Sequence, residues 1–110
     1  MLPMETIHPN VAVTQEQIAG FCRKWQITRF ELFGSMLRED FDAESDIDVL
    51  VTFAPEVHLR ISDLVNMEDE LGAIFGRNVD LVERPLVEAS PNWIRRRNIL
   101  KSAREVYAAS

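Results

Sequence analysis

Apolar residues recur at helical spacing between Thr14 and Trp25, where Ile18, Phe21, Cys22 and Trp25 fall on one face. Thr14 and Gln17 stand at capping-box spacing ahead of that face. The period then changes. Ile27 to Phe33 is rich in β-branched and aromatic residues and predicts a strand ending at Gly34. A longer connection follows, with a short helical turn expected from Ser35 to Arg38. Asp46 to Phe53 alternates, placing Ile47, Val49, Val51 and Phe53 on one strand face, and Pro55 closes it. Ser62 to Phe75 returns to helical spacing through Leu64, Val65, Leu71, Ile74 and Phe75, with Gly76 as the C-cap. Val79 to Val82 predicts a short strand, and Ser90-Pro91 opens a last helix running to about Tyr107. The pattern is that of a small two-layer α/β domain with a short, mixed, three-stranded sheet.

Composition narrows this. The 110 residues, 46% hydrophobic and 27% charged, fit one soluble globular domain spanning 1–110. The formal net charge of −6 argues against general binding to nucleic acid or an anionic membrane. Cys22 is the sole cysteine, so no intramolecular disulfide or Cys-rich zinc site is possible, and a reducing cytoplasm is the expected location. The first thirteen residues lack the basic-then-apolar pattern of a secretory leader, and no apolar run has the length of a membrane span. The net charge hides a segregation. Residues 31–83 carry 14 acids against three bases, whereas residues 84–110 carry six bases against two acids.

The acidic segment holds the candidate chemistry. In Asp46-Ile47-Asp48 the two carboxylates share a strand face, where they repel unless a positive group lies between them. Hard divalent cations take such oxygens, so the pair is a candidate Mg²⁺ site. The strands Asp46–Phe53 and Val79–Val82 flank one helix and should run parallel through a crossover, which brings Asp80 to the same sheet end. If Ile27–Phe33 runs antiparallel to its successor, Gly34-Ser35 exits at that end too. A Gly-Ser turn suits phosphate, because glycine permits close backbone approach, free N–H groups bind anions and Ser35 adds a hydroxyl. Arg38 can add charge one turn later.

Leu32-Phe33-Gly34-Ser35, followed after ten residues by Asp46-Ile47-Asp48-Val49-Leu50-Val51, resembles the Gly-Ser…Asp-x-Asp signature of polymerase-β-like nucleotidyltransferases. Phe33-Gly34-Ser35-x-x-Arg38 with Ser45-Asp46-Ile47-Asp48 is similar to their minimal (MNT) branch, and Val79-Asp80-Leu81 to the strand holding the third carboxylate. The resemblance covers a motif-bearing core of about residues 27–84 and leaves the C-terminal helix, about 91–107, without a diagnostic motif.

The resemblance implies two-metal nucleotidyl transfer. Asp46, Asp48 and Asp80 would hold two Mg²⁺ ions, Asp80 would help activate the acceptor hydroxyl, and Gly34 and Ser35, with Arg38, would hold the ATP phosphates. It further implies an antitoxin that moves AMP from ATP to a hydroxyl, a tyrosine, on a HEPN-type ribonuclease toxin held in a hetero-oligomer. Two alternatives stay open: a small-molecule acceptor in a pocket completed by a partner chain, and a non-catalytic antitoxin acting by occlusion. Direct nucleic-acid and membrane contact are not expected.

The remaining features have plainer readings. A calcium loop starting at Asp40 fails, because Ser45 stands where glycine is needed and Val51 where glutamate is needed. Glu39, Asp40, Asp42 and Glu44 read as a solvated loop, and Glu68-Asp69-Glu70 as an exposed helix face. His8 and His58 lack ligand spacing, while Cys22 and Tyr107 read as packing residues. Arg95-Arg96-Arg97 and Lys101 read as a solvated helix face, with contact to phosphate or an acidic partner as the alternative.

Overall fold

A computed structural model describes residues 6–8, 11–34 and 46–109. The expected turn from Ser35 to Arg38 and the acidic stretch 39–44 lie outside the described residues. Two short strands, β1 (Thr6–His8) and β2 (Val11–Thr14), pair antiparallel and lead into α1 (Gln15–Trp25). The predicted capping box is present: Thr14 Oγ1 accepts from the Gln17 amide at 3.2 Å, and Gln17 Oε1 accepts from the Thr14 amide at 2.8 Å. Gln26 ends α1 in the left-handed region (φ 58°), its N–H donating to the Cys22 carbonyl. The chain thereby turns at once into β3 (Ile27–Phe33).

β4 (Ile47–Phe53), α2 (Ile61–Phe75) and β5 (Val79–Glu83) form a crossover unit, and β4 and β5 are parallel as the single intervening helix requires. Gly76 closes α2 at φ 72°. The sheet order is β5-β4-β3-β6, so a fourth strand, β6 (Arg104–Ala108), lies against β3. This changes the C-terminal reading. The single helix expected over 91–107 is instead α4 (Trp93–Ser102) followed by β6, and a short helix not expected, α3 (Arg84–Glu88), precedes it. Ser90 and Pro91 precede α4, and its cap is Asn92, whose Oδ1 accepts from the Arg95 amide at 3.2 Å. Helical spacing lost to tertiary demand. The outer edge of β3 needs partners for its backbone groups, and Arg104–Ala108 supplies them. The register slips between Phe30↔Tyr107 and Glu31↔Glu105, and that irregularity lets the adjacent Val106 and Tyr107 both pack against the core.

The core lies on both sheet faces. Phe30, Leu32, Ile47, Val49 and Val51 pack beneath α1 and α2, which contribute Ile18, Phe21, Cys22, Met67, Leu71 and Phe75. Burying each large apolar side chain contributes about 1.5–3 kcal/mol before the entropy of ordering it is subtracted. A smaller cluster joins Phe33 and Leu50 on the opposite face to Val87 of α3 and Ile99 of α4. Asp48 and Asp80 alternate with the first set, so they belong to the face that α3 and α4 partly cover.

Candidate active site

The site lies at one end of the sheet. β3 and β4 are antiparallel with Phe33 opposite Asp48, and β4 and β5 are parallel with Asp48 opposite Asp80. Asp48 therefore stands between Phe33 and Asp80 across three neighbouring strands, which is the adjacency expected from the crossover. Asp46 precedes β4 and is exposed, Asp48 is half-buried, and Asp80 is exposed.

Gly34 completes the corner. Its φ is 75°, a conformation that L side chains rarely adopt, and a Cβ there would lie 2.3 Å from Asp48 Oδ2. The Asp48 carboxylate thus rests against the backbone where the chain leaves β3, in a space a side chain would fill. The structure places Gly34, Asp46, Asp48 and Asp80, and Ser35 and Arg38 lie outside the described residues.

Whether these residues suit a divalent cation is a matter of donor chemistry. All three acids offer only hard oxygens, two of them on directly paired strand positions, and this fits Mg²⁺ in kind. Among the described residues no three His, Cys, Asp or Glu side chains form a ready-made ligating group, so strand register brings the acids together without converging their oxygens.

Sequence reasoning missed Glu31. It is only 2% exposed, on the same face of β3 as Phe33, and its Oε1 accepts from Arg84 at 2.6 Å, with Arg29 at 3.3 Å. Arg84 follows β5 directly, so the pair ties β3 to the start of α3 across β4. A lone acid inside an apolar strand was the available signal. Its partner, 53 residues away, had none.

Two other ionisable groups are structural. Burial pushes the Cys22 thiol up to about 12, against a smaller opposing effect of Arg23, as suits a core residue. Burial also acts to raise the Glu70 carboxyl, but hydrogen bonds from Lys24 Nζ (2.6 Å) and Trp25 Nε1 (2.5 Å) prevail and hold it below its ordinary value. Glu70 thus fastens α2 to α1 rather than forming part of a purely solvated face. His58 is exposed.

This arrangement has a counterpart among known proteins. The profile of the nucleotidyltransferase domain matches residues 15–106. The chain belongs to that family. The nucleotidyltransferase is 33% identical over 73 residues to a Methanocaldococcus jannaschii protein that its name gives, provisionally, as a protein adenylyltransferase. The match covers 66% of this chain and 76% of the relative. A solved structure described provisionally as a minimal nucleotidyltransferase superposes with a TM-score of 0.62 at 26% identity, covering 82% of this chain and 86% of the other. The MNT antitoxin fold recurs at lower identity. A complex of tri-AMPylated Shewanella oneidensis HEPN toxin with its MNT antitoxin gives a TM-score of 0.59 at 18% identity, covering 86% of this chain and 70% of the matched one. The nucleotidyltransferase domain thus has the mixed-sheet α/β architecture of these proteins, with a fourth strand beyond the three expected.

Proposed function

We propose that this nucleotidyltransferase is an antitoxin that transfers AMP from Mg²⁺-bound ATP to a tyrosine hydroxyl of a HEPN-type toxin. The observation that carries this reading is the pairing of Asp48 with Asp80 beside the Cβ-free space at Gly34. The relative named as a protein adenylyltransferase supports the reaction class, and the AMPylated toxin complex supports the kind of acceptor.

In this reading Asp46, Asp48 and Asp80 would hold two Mg²⁺ ions, whose chemistry when bound would be positive charge for the triphosphate and for the attacking hydroxyl. Gly34 lets the Asp48 carboxylate lie against the turn, while Ser35 donates its hydroxyl to phosphate and Arg38 adds a cation. Asp80 accepts the proton of the acceptor hydroxyl. The hydroxyl oxygen bonds to the α-phosphorus as the bond from that phosphorus to the β-phosphate bridging oxygen breaks, releasing pyrophosphate. Part of the acidity of segment 31–83 would then serve to hold cations, and the carboxylates left unneutralised would otherwise repel the anionic substrate.

The test is mass spectrometry of a HEPN-type toxin incubated with this chain and Mg·ATP. An AMP adduct on a tyrosine is expected, and its loss in Asp46→Asn/Asp48→Asn. No adduct with folded wild-type protein overturns the reading. Full neutralisation of the toxin by the double variant would show occlusion rather than chemistry.

A further inference from the structure

Three large apolar side chains on α3 and α4 face solvent: Leu86 is 66% exposed, Trp93 58% and Ile94 56%. α4 buries only Ile99, so its apolar residues form no single inward stripe. Between the two helices lies a cavity of about 130 Å³, floored by Val82, Val87 and Ile99 and rimmed by Ser90, Arg95 and Arg96. That volume approaches the size of cavities that admit a small aromatic ring. Arg95 and Arg97 are exposed, and no ion pair among the described residues engages either.

We infer that the α3–α4 face is a docking surface for an acidic protein surface that seats one apolar side chain in this cavity. Charge complementarity selects the occupant. Residues 31–83 carry 14 acids against three bases and repel an acidic partner, while α3 and α4 carry Arg84, Arg95, Arg96, Arg97 and Lys101 against Glu88 and attract it. Leu86 and Arg95 line the cavity, Trp93 is exposed on the same helix as Arg95, and Trp and Arg are residue types that dominate protein–protein binding energy. An RNA backbone would use the arginines but leave Leu86 and Ile94 without a role. The cavity lies on the sheet face shared by Asp48 and Asp80, so docking here presents the partner to that face. This inference rests on the proposed function in one respect: the docked protein is taken to be the AMP acceptor.

The experiment measures the affinity of full-length wild-type and variant chains for the HEPN-type partner by calorimetry, without nucleotide. Leu86→Ser/Trp93→Ser and Arg95→Glu/Arg97→Glu should each weaken binding about tenfold or more. All four positions are exposed, and unchanged circular-dichroism melts will confirm the fold. Ile61→Ser/Val65→Ser alters the exposed apolar pair of α2, under the other sheet face, and should leave affinity unchanged. In the transfer assay the α3–α4 variants should raise KM for the partner and leave kcat unaltered. Affinity within twofold of wild type for both variants, with transfer intact, overturns the docking surface alone. So does loss of single-stranded RNA binding in Arg95→Glu/Arg97→Glu with partner affinity intact. Wild-type binding that the variants weaken, without any AMP transfer, supports the surface and overturns the proposed reaction. No wild-type binding overturns both.

Discussion

Gly34 answers two demands at one position. The positive φ costs an alanine about 1 kcal/mol, and the Cβ would occupy the place of the Asp48 carboxylate. Backbone strain and displacement of the Asp48 carboxylate are separable effects, and they predict different sizes of loss. Gly34→Ala should reduce AMP transfer by about 100-fold, because misplacing a positioned group by an ångström has that scale of effect. Its melting temperature should fall by only a few degrees. Steady-state transfer kinetics and scanning calorimetry on the same preparation check the pair of outcomes. The sequence could show that glycine fits a turn here. It could not show that the neighbouring strand fills the space.

The buried Glu31–Arg84 pair stiffens the join between strands and the α3–α4 cover. Arg84 is partly exposed and keeps Glu88 at 3.4 Å. Glu31→Gln therefore removes a charge-assisted hydrogen bond without orphaning the guanidinium, and should destabilise the fold by about 1.5–3 kcal/mol. Replacing both, Glu31→Leu with Arg84→Met, should cost less than the sum of the single changes. A double-mutant cycle by urea denaturation measures the difference. The same contrast explains what could be read in advance. α1, α2 and the caps at Thr14 and Gly76 follow from local spacing, and the parallel β4–β5 pairing follows from one crossover helix. Asp48 and Asp80 became neighbours in the reading for that reason alone. β6 and the Glu31 pair had no such local signal. Both depend on groups far apart in the chain: the hydrogen-bonding needs of the edge of β3, and a guanidinium that meets its carboxylate only once the sheet is built.

At the scale of the molecule, Glu70 links helix packing to pH. Its carboxyl is held below the ordinary value by Lys24 and Trp25. The folded state therefore binds this proton less readily than the unfolded chain, so the stabilisation is full above the unfolded value near ~4.3 and is lost as pH falls through the native one. Glu70→Gln should be less stable than wild type by about 0.5–1 kcal/mol at neutral pH, a modest figure because the group is partly solvated. The difference should vanish in acid, and urea titrations at pH 7 and in acid test this. The placement of β6 carries a consequence of another kind. β3, which leads into Gly34, acquires its outer neighbour only when the far end of the chain arrives. During synthesis at roughly 5–20 residues per second, that strand stays open for several seconds as a template for other nascent chains. The element that completes the sheet last also protects it from aggregation, so yield of soluble protein should respond to changes in Arg104–Ala108 more sharply than the stability of the finished molecule does.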